Sequence, residues 1–304
     1  RYNDRWTDQS EDGFRARHQH TLENLARLRT IDRSALSPED RLDYDLFEDE
    51  QQTAAEEYAT GWRYIALDAR GGIQTLDNFA EQLSFERAKD YEDWIARLEA
   101  LPVLMEQTIA LLREGLSRGI KHARVVMQRV PRQVESQIVE DAEQSRFYRP
   151  FRSMPTVPDA EQERLRQEAR RAISDRVVSS YCKLLAFVSD EYLPACYDEV
   201  GVWQMPGGDD LYRFFVRKST TTDMTPDEVF ETGLEEVARI RSEMEKVKAK
   251  AGFTGDMPEF FEFLRTDPRF FHKTAEDLLT AYRAFAKRVD PLLVKVFRTI
   301  PRMP

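Results

Sequence analysis

Three consecutive threonines, Thr220, Thr221 and Thr222, carry hydroxyl groups that could meet a ligand. They follow a predicted strand, so the hydroxyl groups would lie where that strand ends. The run is equally typical of a strand end whose β-branched residues cap the local backbone. Trp203 and Tyr212 could line a cleft beside the run, although aromatic side chains more often belong to the core. The pattern indicates a candidate binding surface and leaves a structural role open.

The histidines and carboxylates do not form a catalytic pattern. His18 and His20 lie two residues apart, about 200° around a helix, so they do not face one metal ion together. His122 and His272 stand alone, and a lone histidine is more often structural because a site needs partners. The sequence has no HExxH, paired-cysteine, glycine-rich phosphate or GxSxG motif, and its 55 acidic residues single out no pair. The residues by themselves therefore assign no catalytic and no metal-binding position.

A strand–turn–helix unit is predicted to position the threonines. Residues 207–210 have the composition of a turn, and residues 211–218 alternate in polarity, which predicts a strand with one buried face. Thr225 has the features of a helix N-cap, and Glu228 stands three residues later, as in a capping box. We expect the helix to end at Gly252, since glycine is favoured just beyond a helix C-terminus.

Composition predicts a mainly α protein, a multi-helix bundle with one short β element near residues 211–218. Glycine is scarce, with 12 residues in 304, and 33% of the residues are charged. Apolar residues recur at intervals of three and four along most of the chain, which is typical of amphipathic helices. The 41% apolar content is ample for a core in a chain of this length.

The charge balance excludes some classes of partner. The formal net charge is -10, so nucleic acid and anionic membrane surfaces are disfavoured partners. The sequence contains neither an apolar run of 18 residues nor a signal-peptide pattern. Because residue 1 is Arg rather than Met, a leader could have been removed. The two cysteines, Cys182 and Cys196, suggest neither a disulfide framework nor a metal site.

Two helical regions are expected, 1–150 and 151–304, which together form one continuous domain. Residues 149–158 contain three prolines and have the character of a linker. Residues 160–192 predict one long spine helix in the second region, before the strand–turn–helix unit and the C-terminal helices. Pro102 is expected to break or kink a helix in the first region.

The chain resembles the bacterial family called domain of unknown function 885. The segments that carry the resemblance include TPDE at 225–228, GLEEVARI at 233–240 and FLRTDPRF at 263–270. The other matching segments are 1–5, 36–42, 113–120, 201–203, 206–207, Tyr212, 220–222 and 297–304. Nearly the whole chain is covered, and the combination is specific.

The resemblance implies a helical, zincin-like fold similar to helical zinc peptidases, with this chain as an N-terminal half. Family members are about twice this length, and their HExxH-type motif lies in the half that follows. No residue here matches a metal ligand or the general base, so the resemblance implies zinc in the full-length protein and no cofactor in this chain. It also implies a peptide substrate, a C-terminal half as partner, and export or periplasmic location.

The function predicted on this basis is the N-terminal half of a zinc-dependent, peptidase-like hydrolase. Trp203, Tyr212 and Thr220 to Thr222 would wall a cleft in which a peptide adds to a sheet edge. The alternative is a non-catalytic helical binding or scaffold module. The apolar residues at 292–297 further predict an exposed face where the C-terminal half docks.

Overall fold

Helices form nearly all the regular structure of the computed structural model, which describes residues 2–300. The mainly α prediction is therefore confirmed. The helices are α1 (Glu11–Leu28), α2 (Pro38–Thr60), α3 (Ala88–Arg118), α4 (Arg124–Met127), α5 (Val130–Glu135), α6 (Asp159–Ala172), α7 (Ser179–Phe187), α8 (Leu193–Ala195), α9 (Gly208–Thr220), α10 (Pro226–Lys250), α11 (Met257–Thr266) and α12 (Ala275–Val289). Arg1 and residues 301–304, which the predicted regions and the resemblance include, lie outside the described residues.

Short 3-10 helices connect several of these elements. They are Arg33–Ala35, Trp62–Tyr64, Ile73–Gln82, Ala142–Gln144, Arg146–Arg152, Val202–Gln204, Pro268–Phe270 and Asp290–Lys295. Within residues 2–300, β pairing is limited to one isolated parallel bridge between Ala123 and Tyr197.

The predicted strand at 211–218 is wrong, because these residues form most of α9. Gly207 has a left-handed backbone (φ 70°) and begins the helix, and two aspartates occupy its first turn, where they complement the helix dipole. Leu211 and Phe214 are buried, and their spacing of three residues suits a helix face. Over these eight residues the alternation in polarity is compatible with a strand, and the spacing of the apolar residues is compatible with a helix. Burial of Leu211 and Phe214 on one side favours the helix.

Capping residues set the ends of the longer helices as predicted. Thr225 Oγ1 accepts a hydrogen bond from the amide of Glu228, and the Glu228 carboxylate accepts the amide of Thr225. Ser10 and Ser37 likewise cap α1 and α2. Gly252, with φ 74°, follows the end of α10. These features depend on residues three or four apart, which is why the sequence predicts them.

Of the two predicted effects of Pro102, a break or a kink, the break does not occur, since α3 runs through the proline for 31 residues. A proline inside a helix removes one hydrogen bond and costs about 3 kcal/mol. Leu98, Leu101, Leu104 and Met105 are buried on both sides of the proline. Burial of this continuous apolar face offsets the missing hydrogen bond, because tertiary packing supplies most helical stability in proteins.

The predicted spine helix is confirmed over residues 159–195. It comprises α6, α7 and α8, joined without interruption by π-helical turns at Ile173–Val178 and Val188–Tyr192. The apolar residues that recur along it at intervals of three and four are buried, with Leu185 partly so; the buried ones are Leu165, Ala169, Ala172, Ile173, Val177, Tyr181, Leu184, Val188 and Tyr192. The spine and α3 pack together and form the centre of the main core.

The chain divides into two compact units, residues 1–224 and residues 225–304. The first contains the main core, to which Phe151, Met154 and Val157 of the proline-rich segment 149–158 contribute buried side chains. The second contains α10, α11 and α12, with Phe260 buried against Phe253 and Phe263. The division falls after α9, and the proline-rich segment lies within the first unit.

Candidate functional site

Trp203 and Tyr212, two of the predicted cleft residues, are both exposed. Trp203 belongs to the 3-10 helix Val202–Gln204, with 62% of its surface accessible, and its ring lies against Gly201. Tyr212 lies on α9 and is 51% accessible. Neither ring packs in the core, so both are available for contact with a ligand.

The threonine run forms the C-terminal cap of α9. Thr220 Oγ1 donates to the carbonyl of Val216 (2.9 Å) and lies 2.9 Å from Thr222 Oγ1. Thr221 has a left-handed backbone (φ 56°), and its amide donates to the carbonyl of Arg217 (2.8 Å). The local capping role, left open by the sequence, thus accounts for the hydroxyl group of Thr220.

The helical form of 211–218 removes the sheet edge on which the predicted peptide cleft depended. Backbone amides inside a helix bond within the helix, so they cannot pair with an added strand. Eight residues along α9 separate Tyr212 from Thr220 by about 12 Å. The assignment of Trp203, Tyr212 and Thr220 to Thr222 to a substrate cleft stays a prediction and needs another structural basis.

Sequence analysis missed a cleft of about 450 Å³ in the first unit. Residues 2–9, the N-terminal strap, form one wall, and α1, α3, the 3-10 helix Ile73–Gln82 and residues 62–66 form the others. Large apolar side chains line most of it, chiefly Trp6, Phe14, Trp62, Leu76, Phe79 and Leu111. Its polar residues are Thr7, Gln9, Arg63 and Thr108. We call this cavity the strap cleft.

Hydrogen bonds hold the N-terminal strap in place over α3. Trp6 Nε1 donates to the carbonyl of Arg97 (2.7 Å), and the Arg97 guanidinium donates to the carbonyls of Tyr2 and Asn3. The Arg97 guanidinium also lies over the rings of Trp6 and Phe79, 4.8 and 4.6 Å from their centroids. The cleft wall is therefore fixed by contacts between residues more than 90 positions apart.

Arg63 lines the strap cleft with its charge already paired. Its guanidinium donates to Glu11, to the carbonyl of Tyr58 and to the hydroxyl of Tyr64, and it lies over both tyrosine rings. Burial acts to raise the pKa of Glu11, but the Tyr64 hydrogen bond and the Arg63 charge outweigh it and lower that pKa. Glu11 is thus held as a carboxylate that neutralises the arginine.

A second cavity of about 360 Å³ adjoins the strap cleft and shares Phe14, Trp62 and Arg63 with it. In this cavity the His18 ring stacks on Tyr58, with centroids 4.0 Å apart and planes within 9°. The Nδ1 atom of His18 is buried and has no hydrogen-bond partner among residues 2–300.

Helix α9 contacts the residue common to both cavities. Phe215 packs edge-to-face on Trp62, with ring centroids 4.8 Å apart and planes at 73°. Arg217 and Lys218 form ion pairs with Glu56 and Glu57 of α2. The helix that carries Tyr212 is therefore anchored at the rim of the cavities, and Tyr212 stands one turn before Phe215 on neighbouring surface.

His122 is the most enclosed histidine of the described chain, and it has a structural position. Its Nε2 lies 3.1 Å from the carbonyl of Leu67, and its amide donates to the hydroxyl of Tyr192. Burial lowers the pKa of His122, and this effect outweighs the nearby Asp68 and the Leu67 carbonyl, which raise it. The imidazole is therefore held neutral.

The described residues offer no ready metal site and no membrane span. Among residues 2–300, no group of three or more His, Cys, Asp or Glu side chains could hold a metal ion. None of the described helices is both long and apolar enough to cross a bilayer. Cys182, which is exposed, and Cys196, which is buried, are both free thiols.

Comparison with known protein families identifies the family of this chain. The sequence model of a bacterial protein family of unknown function, DUF885, matches residues 1–304, which is the whole chain. The chain belongs to this family. As a DUF885 protein it shows the family resemblance predicted from its segments at 225–228, 233–240 and 263–270.

A solved structure shares the fold of this DUF885 chain. It is described as "the putative lipoprotein from Colwellia psychrerythraea", with a TM-score of 0.86 and 19% sequence identity. The alignment covers 100% of this chain and 55% of the other, so the DUF885 chain spans about half the length of the Colwellia protein. At this identity the similarity shows the fold alone. No curated protein sequence matches the DUF885 chain.

Proposed function

We propose that this chain is the N-terminal helical half of a zinc-dependent, peptidase-like hydrolase and supplies a wall of its substrate cleft. The family resemblance supplies the chemistry of the proposal. The observation that carries the role of this chain is the strap cleft, whose rim residue Trp62 contacts α9. In this proposal Trp203, Tyr212 and Thr220 to Thr222 remain candidate substrate contacts, and the packing of Phe215 of α9 on Trp62 supports the part played by Tyr212 and the threonines.

The metal belongs to another part of the protein in this proposal. The described residues do not fit a zinc site, because no suitable group of ligands lies together among residues 2–300. Zinc bound elsewhere would polarise a peptide carbonyl and activate water. The proposed part of this chain is to bind the substrate and to orient it.

Exposed apolar side chains on the second unit support a further partner surface. Leu292, Val294, Val296 and Phe297 are exposed, and Leu293 is half-buried, which supports the predicted docking face at 292–297. α10 has no buried residue and exposes a row of apolar side chains, Phe230, Leu234, Val237, Ile240 and Val247. Large exposed apolar surfaces generally mark interaction sites. We propose that the polypeptide equivalent to the unmatched part of the Colwellia protein covers this surface.

Two measurements test the proposal. Native mass spectrometry of residues 1–304 is expected to show no stoichiometric zinc, whereas a longer protein that includes an HExxH motif after residue 304 retains it. A peptidase assay of that longer protein is expected to lose activity with a chelator and to regain it with zinc. Stoichiometric zinc on residues 1–304, or a stop codon directly after residue 304, would contradict the proposal.

The alternative is a non-catalytic helical binding or scaffold module. The strap cleft favours it to the same degree, since a cavity of about 450 Å³ is large enough for a ligand without any catalysis. Peptide binding by the longer protein, with no hydrolysis sensitive to a chelator, would establish the module.

We further propose that the protein is exported to the periplasm. The description of the Colwellia protein as a "putative lipoprotein" motivates this proposal. Antibody detection after cell fractionation is expected to find the protein outside the cytoplasm, and a cytoplasmic pool alone would overturn it.

A further inference from the structure

The strap cleft is large enough to receive a large side chain, and its walls are mainly apolar. Its volume of about 450 Å³ lies within the range of small-ligand sites. Trp6, Phe14, Trp62 and Phe79 present aromatic rings to it. An apolar occupant would bury surface against these rings, which contributes roughly 25 cal/mol per Å².

The charges around the strap cleft favour an uncharged occupant. Arg63 is the one charged residue that lines it among the described residues, and Glu11 already neutralises Arg63. A carboxylate brought into the cleft would compete with Glu11, and a cation would meet no free carboxylate on its walls. Burial of an unpaired charge is costly, so the cleft selects against charged side chains.

Two backbone segments that line the strap cleft leave peptide groups free for a ligand. The N–H and C=O groups of Thr7, on the strap, and of Ala66 have no hydrogen-bond partner among residues 2–300. Both segments lack helix, turn and bend at these positions. Ala66 is half-buried. Thr7 is exposed, so its backbone groups are open to solvent or to a ligand. Backbone groups as enclosed as those of Ala66 are more often paired, and a ligand with peptide groups of its own would pair with them.

The walls are also fixed before any ligand arrives. The strap is tied to α3 through the Trp6–Arg97 hydrogen bond, and Gln9 is tied to the Gln107 side chain (2.9 Å). Pre-organised walls lose little conformational entropy on binding, which favours affinity.

We propose that the strap cleft is a specificity pocket that receives a large, uncharged apolar side chain of a peptide, with Thr7 and Ala66 bonding the peptide backbone beside it. The peptide as source of this side chain rests on the proposed function. Binding is a property of residues 1–304, so its test does not depend on hydrolysis or on zinc.

Binding to the 304-residue chain tests the inference directly. The probes are the blocked tripeptides acetyl-Ala-Phe-Ala-amide and acetyl-Ala-Glu-Ala-amide, followed by isothermal titration and by tryptophan fluorescence. Trp6 and Trp62 line the cleft and report occupancy. We expect saturable one-to-one binding of the phenylalanine peptide and affinity lower by about tenfold or more for the glutamate peptide.

Substitutions that fill the cleft locate the bound peptide. Thr108→Met extends a side chain from α3 into the cleft and is expected to weaken binding by about tenfold. Val103→Met, at an exposed position of the same helix that does not line the cleft, is the matched control and leaves binding unchanged. If Thr108→Met fails to fold, Leu111→Phe fills the same cleft and serves instead.

Three outcomes would overturn the inference. They are no saturable binding at millimolar peptide, equal affinity for both peptides, and binding unaffected by a folded cleft-filling variant. Toluene, which has the aromatic ring without peptide groups, is a further probe. If toluene binds as tightly as the phenylalanine peptide, the cleft accepts apolar molecules generally, and the assignment to a peptide is overturned. A longer protein that fails to hydrolyse peptides while this chain binds them would refute the proposed function alone.

Discussion

Trp6 and Arg97 form both a hydrogen bond and a cation–π contact, although 91 positions separate them. The Trp6 indole donates a 2.7 Å hydrogen bond to the Arg97 carbonyl, and the Arg97 guanidinium lies 4.8 Å from the centroid of the Trp6 ring. The same guanidinium holds the carbonyls of Tyr2 and Asn3. This pair is what turns an N-terminal segment without regular structure into a wall of the strap cleft.

Trp6→Phe is expected to destabilise the first unit by about 1–2 kcal/mol, because it removes the indole donor and leaves the Arg97 carbonyl without it. Urea unfolding followed by circular dichroism measures the change. Tyr2→Ala, which removes an exposed ring and keeps the Tyr2 carbonyl, is the control and should change stability little. Equal stability of Trp6→Phe and the wild type would show that the hydrogen bond does not hold the strap.

His122 should make the stability of the protein fall in mild acid. Burial lowers its pKa in the folded state, so below the ordinary histidine pKa of about 6.5 the unfolded chain binds the additional proton. The free energy of unfolding is therefore fully retained above that pH and decreases as the pH falls through it towards the lowered pKa. Denaturant unfolding at a series of pH values between about 7 and 5 measures this decrease.

His122→Gln supplies the matching variant, because its amide can still donate to the Leu67 carbonyl and carries no proton in this range. We expect a flatter dependence of stability on pH than in the wild type. His20→Gln, at an exposed position, is the control and should keep the wild-type slope. If the His122→Gln slope equals that of the wild type, other groups cause the acid sensitivity.

Thr221→Gly is expected to stabilise the first unit by about 0.5–1 kcal/mol. Thr221 is the non-glycine residue with positive φ among residues 2–300, and a left-handed backbone costs a β-branched residue about 1–2 kcal/mol. Glycine removes this strain, but its larger conformational entropy in the unfolded state reduces the gain in stability. Thermal unfolding measures the shift. The neighbouring Thr222→Gly, where φ is not positive, should give no gain, and a gain at both positions would contradict the argument.

The apolar face of α10 should bind hydrophobic dyes in the isolated chain. Phe230 and Ile240 are exposed, so the double substitution Phe230→Gln and Ile240→Gln is expected to reduce the fluorescence of bound anilinonaphthalene sulfonate. Helix content should stay unchanged because neither side chain packs in a core. Phe260→Gln, at the buried ring of the second unit, should instead raise dye binding by loosening that unit. Unchanged fluorescence in the double variant would place the dye-binding surface elsewhere.

Features that depend on residues a few positions apart could be predicted from the sequence alone. The cap at Thr225 joins a side chain to an amide three residues on and forms as expected, and Ser10 and Ser37 cap α1 and α2 in the same way. The buried side of the spine helix also followed from spacing, because one regular helix brings every third or fourth residue to the same side.

Tertiary structure decided what local pattern left ambiguous. Residues 211–218 satisfy a strand alternation and a helix spacing over the same eight positions, and burial of Leu211 and Phe214 selected the helix. Pro102 stays inside α3 because buried neighbours on both sides offset its missing hydrogen bond. The strap cleft joins Trp6, Trp62, Phe79 and Thr108, which no short motif connects. Long-range packing alone brings such residues together, since the free energy that orders them comes from their shared burial and not from their neighbours in the chain.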